Sequence, residues 1–154
     1  MICLLRDEAD TVALGRGLAE HCPPGAVIWL RGPLGAGKTT LVRGFLRALG
    51  YQGAVKSPTY TLIEPYECRG RRIFHLDLYR IAEPSELDFL GLRELHDEES
   101  VLLVEWPERG ASALPPADLT LELEYDAGGR RARLQAQSRA GEALVRAASH
   151  FSTA

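Results

Sequence analysis

Apolar positions recur along the chain with two periods, one suited to strands and one to helices, and the switches between them mark the elements. Ile2 to Leu5 is a short apolar run that reads as a first strand. Beyond it, Leu14 and Leu18 share one face of a helix whose N-cap is Asp7 and whose first turns carry Thr11. Gly15 and Gly17 weaken that helix by about 1 kcal/mol each relative to alanine, which plain tolerance explains and which close packing or a neighbouring ligand would also explain. Pro23-Pro24-Gly25 breaks the chain, and Ala26-Val27-Ile28-Trp29-Leu30 follows as a buried strand. Leu41, Val42, Phe45, Leu46 and Leu49 then recur at helical spacing until Gly50 ends the helix.

The second half has more strands. Ser57 to Ile63 joins a turn-forming Ser-Pro to a β-prone run rich in hydroxyls, and its residue types favour an edge strand beginning at Pro58 over a loop. Cys68-Arg69-Gly70 is a hairpin turn into a strand from Arg72 to Arg80, on which Ile73, His75 and Asp77 share a face. Pro84 opens a helix with Leu87, Leu90 and Leu95 on one side and Phe89 and Leu92 off it, most simply a helix buried twice within one domain. Val101-Leu102-Leu103-Val104-Glu105-Trp106 is a fully buried strand ending in a carboxylate. Past Ala113 to Ala117, Leu119, Leu121, Leu123 and Tyr125 alternate with Thr120, Glu122 and Glu124. Across Gly128-Gly129, Ala132, Leu134 and Ala136 alternate with Arg131, Arg133 and Gln135. The result is an antiparallel hairpin that sets Glu122 and Glu124 near Arg131 and Arg133. Leu144, Val145 and Ala148 mark a short last helix, and no internal repeat is present.

One stretch gives this order of elements a chemical purpose. Gly32-Pro33-Leu34-Gly35-Ala36-Gly37-Lys38-Thr39 fits G-x-x-x-x-G-K-[ST] between a strand and a helix. In such a loop, successive N–H groups around Gly35, Ala36 and Gly37 point at phosphate oxygens, Lys38 reaches the β- and γ-phosphates, and the Thr39 hydroxyl holds Mg²⁺. The fold class that follows is α/β: a P-loop NTPase-like three-layer sandwich with a mostly parallel central sheet and an antiparallel C-terminal hairpin, over residues 1–154 as a single domain. Asp77 and Glu105, each closing an apolar strand, stand where α/β nucleotide enzymes place groups that hold metal or water. Glu105 takes the Walker B position with one methylene more than the usual aspartate. His75 reads as a buried core histidine before it reads as a partner that tunes Asp77, and a His/Asp pair is too little for zinc. Asp88-Phe89-Leu90-Gly91 spells the GTPase signature D-x-x-G, but it falls inside the predicted helix and no N-K-x-D accompanies it.

Composition narrows this little. A hydrophobic fraction of 45% and a charged fraction of 25% are ordinary for a globular protein, and a formal charge of -3 leaves no global electrostatic footprint for nucleic acid or anionic membrane. Cys3, Cys22 and Cys68 are odd in number and form no C-x-x-C, as expected of reduced thiols. Charged Arg6, Asp7 and Glu8 follow the first apolar run too soon for a signal peptide, so a cytoplasmic protein without a membrane partner is expected.

Five motifs in one order resemble the TsaE (YjeE-like) family of small P-loop ATPases needed for threonylcarbamoyl-adenosine (t6A) modification of tRNA in bacteria. They are G-x-L-G-A-G-K-T-T at Gly32 to Thr40, K-S-P-T-Y-T at Lys56 to Thr61, H-x-D-L-Y-R at His75 to Arg80, E-L-x-x-x-G at Glu86 to Gly91, and V-E-W-P at Val104 to Pro107. The resemblance implies ATP and Mg²⁺ as cofactors, TsaD and TsaB as partners, and tRNA met only through their complex. It turns Ser57, Thr59 and Thr61 from an edge strand into a switch beside the γ-phosphate, and adds Thr40 to the loop. It makes Lys38, Asp77 and Glu105 catalytic, with Thr39, Asp77 and Glu105 linked to Mg²⁺, Trp106 close to the nucleotide and Thr11 near the adenine. Pro33 departs from the aspartate of many relatives, which removes one N–H and one charge and implies tuned affinity or turnover without loss of binding. Arg43 and Arg80 are the candidates for an arginine finger in cis; without one, a slow ATPase completed by a partner is expected. The rival readings are a small-molecule kinase of the shikimate-kinase-like P-loop type, which needs a basic acceptor region and a lid, and a nucleotide-gated binding module.

Overall fold

Seven strands form one mixed sheet in the computed structural model, which describes residues 1–151. In chain order they are β1 (Ile2–Leu5), β2 (Val27–Arg31), β3 (Ile63–Cys68), β4 (Arg71–Asp77), β5 (Val101–Glu105), β6 (Leu119–Asp126) and β7 (Gly129–Ala136). Across the sheet the order is β1-β7-β6-β2-β5-β4-β3. The four central strands β6, β2, β5 and β4 run parallel, while β3, β7 and β1 pair antiparallel at the flanks. All five residues of β5 are buried, as a parallel strand covered on both faces requires.

Helices α1 (Glu8–Glu20), α2 (Lys38–Ala48) and α5 (Arg139–Ala147) cover one face through Leu14, Leu18, Leu41, Phe45 and Leu144. The short helices α3 (Glu86–Phe89) and α4 (Leu92–Leu95) cover the other through Leu87 and Leu92, against Phe74, Leu76, Leu102 and Val104. The three layers and the C-terminal hairpin of β6 and β7 are those the sequence predicts.

Local departures have physical causes. The helix expected from Pro84 is two four-residue helices, because Gly91 between them adopts φ 71°, a left-handed conformation that ends one and starts the next. The D-x-x-G run therefore straddles the break, its Asp88 and Phe89 ending α3, and Phe89, at 90% exposure, is not buried on a second face. The edge strand expected at Pro58 begins only at Ile63: the Leu62 N–H donates to the Pro58 carbonyl at 2.7 Å, closing a turn in which Leu62 has φ 70°. β4 stops at Asp77 instead of Arg80, where the Asp77 carboxylate accepts the Tyr79 N–H at 2.9 Å. In the last hairpin Glu122 faces Arg133 and Glu124 faces Arg131, as the alternation requires, yet the Arg131 guanidinium pairs with Asp126 at 3.1 Å.

Gly15 owes its place to packing. A Cβ there would run into the Leu41 carbonyl oxygen, and one at Gly44 into that of Val12, so two hydrogens let α1 and α2 approach closely. Gly15→Ala should cost about 1–3 kcal/mol by overpacking, read as a lower urea midpoint. A wild-type midpoint would mean that the helices can part without cost.

Candidate active site

The loop from β2 to α2 needs its glycines: Gly32, Gly35 and Gly37 have φ of 144°, 78° and 108°, values that side chains rarely adopt. β2 delivers the chain to the C-terminal edge of the sheet, and α2 leaves with its free N–H groups and dipole facing the loop. In sheet order β5 lies on one side of β2, and β4 beyond it, so the last residues of β4 and β5, Asp77 and Glu105, stand side by side in register next to that loop.

Between these elements is a cleft of about 320 Å³ lined by Leu34, Gly35, Gly37, Lys38, Thr39, Thr40, Ser57, Thr59, Asp77, Glu105 and Trp106. The Lys38 ammonium donates to the Gly32 carbonyl and lies 3.7 Å from the centre of the Trp106 ring. Burial pulls Lys38 below the usual lysine range, with Glu105, Asp77 and Glu108 acting in the opposite sense. Trp106 has φ 56°, a left-handed conformation that is costly for a bulky residue and turns the chain sharply after β5; Tyr79 tilts against its ring at 5.1 Å.

Two hydrogen-bonded sets form the acidic wall. The Thr39 hydroxyl donates to Glu105 Oε2 at 2.9 Å, and the same oxygen lies 2.6 Å from His75 Nε2. His75 is fully buried, as the sequence reading expects of a core histidine. Its partner is Glu105 on the neighbouring strand, not Asp77, and its Nδ1 has no partner. A buried N–H at Nδ1 would be an orphan donor, whereas an N–H at Nε2 meets the Glu105 carboxylate. In the second set, Asp77 Oδ2 accepts the hydroxyls of Ser57 at 2.7 Å and Thr59 at 3.1 Å, which are 2.8 Å from each other. The Ser57 to Thr61 segment is therefore tied by its first two hydroxyls to the end of β4. Thr61 is exposed and lines an adjoining groove with Lys56, Tyr60, Glu64 and Tyr66.

A second cavity of about 260 Å³ shares Gly35, Gly37 and Thr40 with the first and is closed by Asp7, Glu8, Thr11, Ala36, Gly128, Gly129 and Arg130. Thr11 lies here, away from Trp106. The expected finger arginines line neither cavity: Arg43 pairs with Glu8, and Arg80 covers the Tyr60 ring at 4.2 Å. The hairpin residues Tyr125 and Arg130, which sequence reasoning missed, bind the loop itself. Tyr125 Oη donates to the Leu34 carbonyl at 2.7 Å, and Arg130 donates to those of Ala36 at 3.0 Å and Gly35 at 3.2 Å.

Two carboxylates and a hydroxyl facing one cleft make an all-oxygen donor set, the kind Mg²⁺ takes when substrate phosphates complete its shell. Among the described residues no group of three His, Cys, Asp or Glu side chains forms a cage that would hold a metal without such help.

A family model described as "Threonylcarbamoyl adenosine biosynthesis protein TsaE" matches residues 5–133. The chain is 43% identical over 149 residues to the tRNA threonylcarbamoyladenosine biosynthesis protein TsaE of Haemophilus influenzae, covering 94% of each sequence. It is 38% identical over 115 residues to that of Bacillus subtilis, covering 75% of this chain and 72% of the relative. Among solved structures, the crystal structure of Bacillus subtilis YdiB superposes with a TM-score of 0.82 at 29% identity, over 97% of this chain and 94% of that one.

Proposed function

Because the chain belongs to the TsaE family, and with it to threonylcarbamoyladenosine biosynthesis in tRNA, we propose that it is an ATP-binding and ATP-hydrolysing accessory protein that acts on a TsaB/TsaD transferase complex in the cytoplasm. The observation that carries the reading is the convergence of Lys38, Thr39, Ser57, Thr59, Asp77 and Glu105 on one cleft beside a P-loop. Loop N–H groups cradle the phosphates, and Lys38 exchanges the Gly32 carbonyl for β- and γ-phosphate oxygens. Thr39, Glu105 and Asp77 would hold Mg²⁺, directly or through water, and the ion would neutralise charge on the phosphate oxygens. Glu105 and Asp77 orient the attacking water, and the hydroxyls of Ser57 and Thr59, hydrogen-bonded to Asp77, respond to the γ-phosphate. The cavity around Thr11 and Thr40 takes the base.

Among the described residues Lys38 is the one cation lining the cleft, so the charge that builds up during phosphoryl transfer has no second cationic partner within that lining. The same poverty of basic groups speaks against a metabolite acceptor and hence against a small-molecule kinase. A group supplied in trans by the partner complex would complete the site. Phosphate release should therefore be faster with TsaB and TsaD present than with the protein alone, and equal rates would sink partner control. Among the described residues no helix is long and apolar enough to cross a membrane.

A further inference from the structure

We infer that Tyr125 and Arg130 are positioning residues for the phosphate cradle, a latch from the C-terminal hairpin that turns the P-loop N–H groups toward the cleft; this rests on the nucleotide reading above. Three consecutive loop carbonyls, those of Leu34, Gly35 and Ala36, accept from these two side chains. Across a trans peptide the C=O of one residue and the N–H of the next point in opposite directions, and no peptide bond in the described residues is cis. Holding those carbonyls toward the hairpin therefore points the N–H groups of Gly35, Ala36 and Gly37 away from it, that of Ala36 resting on the Pro33 carbonyl at 3.2 Å until a phosphate oxygen takes its place. The sheet order says where they go: β6 and β7 flank β2 on one side, and β5 and β4, with Glu105 and Asp77, lie on the other.

The loop needs such a restraint. Its glycines have unusual backbone freedom, and a cradle that must order itself on binding loses affinity to the entropy of ordering. Arg130 suits the task because its planar fork reaches two adjacent carbonyls with Nε and Nη2 while Nη1 donates to its own neighbour, Gly129, at 2.9 Å. The Arg130 guanidinium lies 4.4 Å from the centre of the Tyr125 ring, so the two donors support each other. Tyr125 is 56% exposed, which core packing does not account for and its bond to Leu34 does.

The test compares wild type with Tyr125→Phe, Arg130→Met, Arg130→Lys and the Tyr125→Phe/Arg130→Met double variant. Calorimetry with ATP and with inorganic tripolyphosphate, which has no base, is read beside kcat and the hydrogen exchange of residues 34–37 without nucleotide. Tyr125→Phe should weaken both ligands about threefold and Arg130→Met about tenfold, with loop exchange faster, since each lost bond is a modest one. Arg130→Lys, which keeps the charge without the fork, should fall with Arg130→Met. Wild-type affinity in the double variant, unchanged loop exchange, or a loss for ATP that spares tripolyphosphate would overturn the latch, the last showing a base contact instead. Tyr125→Phe removes a single oxygen and serves even where an Arg130 variant does not fold. A wild type that binds neither ligand would remove the nucleotide reading, and loop exchange would still decide whether the two residues order the loop.

Discussion

Lys38→Ala will bind ATP about a hundredfold more weakly than wild type, because a charge-assisted contact in a shielded site is among the strongest single interactions a protein makes. The side chain is 4% exposed, and its ammonium has a carbonyl and an indole face for company but touches no carboxylate. Phosphate oxygens offer it more than either, so the nucleotide should draw it out of this resting contact. The loss should appear in the calorimetric Kd, and the fold should persist, since removing a partly desolvated charge leaves no partner charge stranded. Wild-type affinity in Lys38→Ala would remove the lysine from the site. A pH effect follows with a definite sign. The protonated form binds phosphate, and burial has pulled Lys38 below the usual lysine range. As pH rises through that lowered value the ammonium is lost, so kcat/KM, which reports the free protein, should decline at a lower pH than an ordinary lysine would give. The residual activity of Lys38→Ala should lack that decline.

What could be read from the residues alone was whatever local spacing decides. The P-loop, its strand and its helix follow from eight consecutive residues and the apolar positions on either side, and the final hairpin from strict alternation around Gly128-Gly129. Asp77 and Glu105 were legible as strand ends, and their registration side by side is the consequence of β4 and β5 pairing parallel. Contacts between distant segments were not legible. Nothing near His75 in sequence points to Glu105 as its partner, 30 residues away, and nothing near Arg130 points to carbonyls 94 and 95 residues earlier. The alternating Arg131 and Arg133 drew attention to cross-strand pairing, while the contacts to the loop come from Arg130 at the tip of the hairpin. At Ser57 to Leu62, propensity favoured a strand, but the hydroxyls of Ser57 and Thr59 bond to Asp77 and a turn at Leu62 replaces the ladder. β-Propensity records how a side chain fits a pleated surface and not what else its hydroxyl can reach.

Glu105→Gln and Asp77→Asn should keep nucleotide binding and lose hydrolysis, each by about 10²- to 10⁴-fold in kcat, the range for a group that positions or accepts a proton in the transition state. Both exchanges preserve shape. In Glu105→Gln the side-chain amide oxygen can still accept from Thr39 and from His75, so the buried set around that position is not broken, and in Asp77→Asn the amide oxygen can still accept from Ser57 and Thr59, at the expense of the Tyr79 N–H, which bonds the other carboxylate oxygen. What disappears is the negative charge that, on the proposed mechanism, would orient water and support the metal. Ground-state affinity is expected to survive because the loop N–H groups and Lys38, not the carboxylates, grip the phosphates, and one fewer negative charge beside an anionic ligand favours its binding. The two variants should differ in one respect: Asp77→Asn weakens the charge-assisted bonds from Ser57 and Thr59 and should speed hydrogen exchange across residues 57–62, whereas Glu105→Gln should leave that segment as it is. Turnover measured with excess ATP and Mg²⁺, beside calorimetric affinity, separates binding from chemistry. Wild-type kcat in both variants would take the two carboxylates out of the mechanism, and a parallel loss of affinity and kcat would make them binding groups instead.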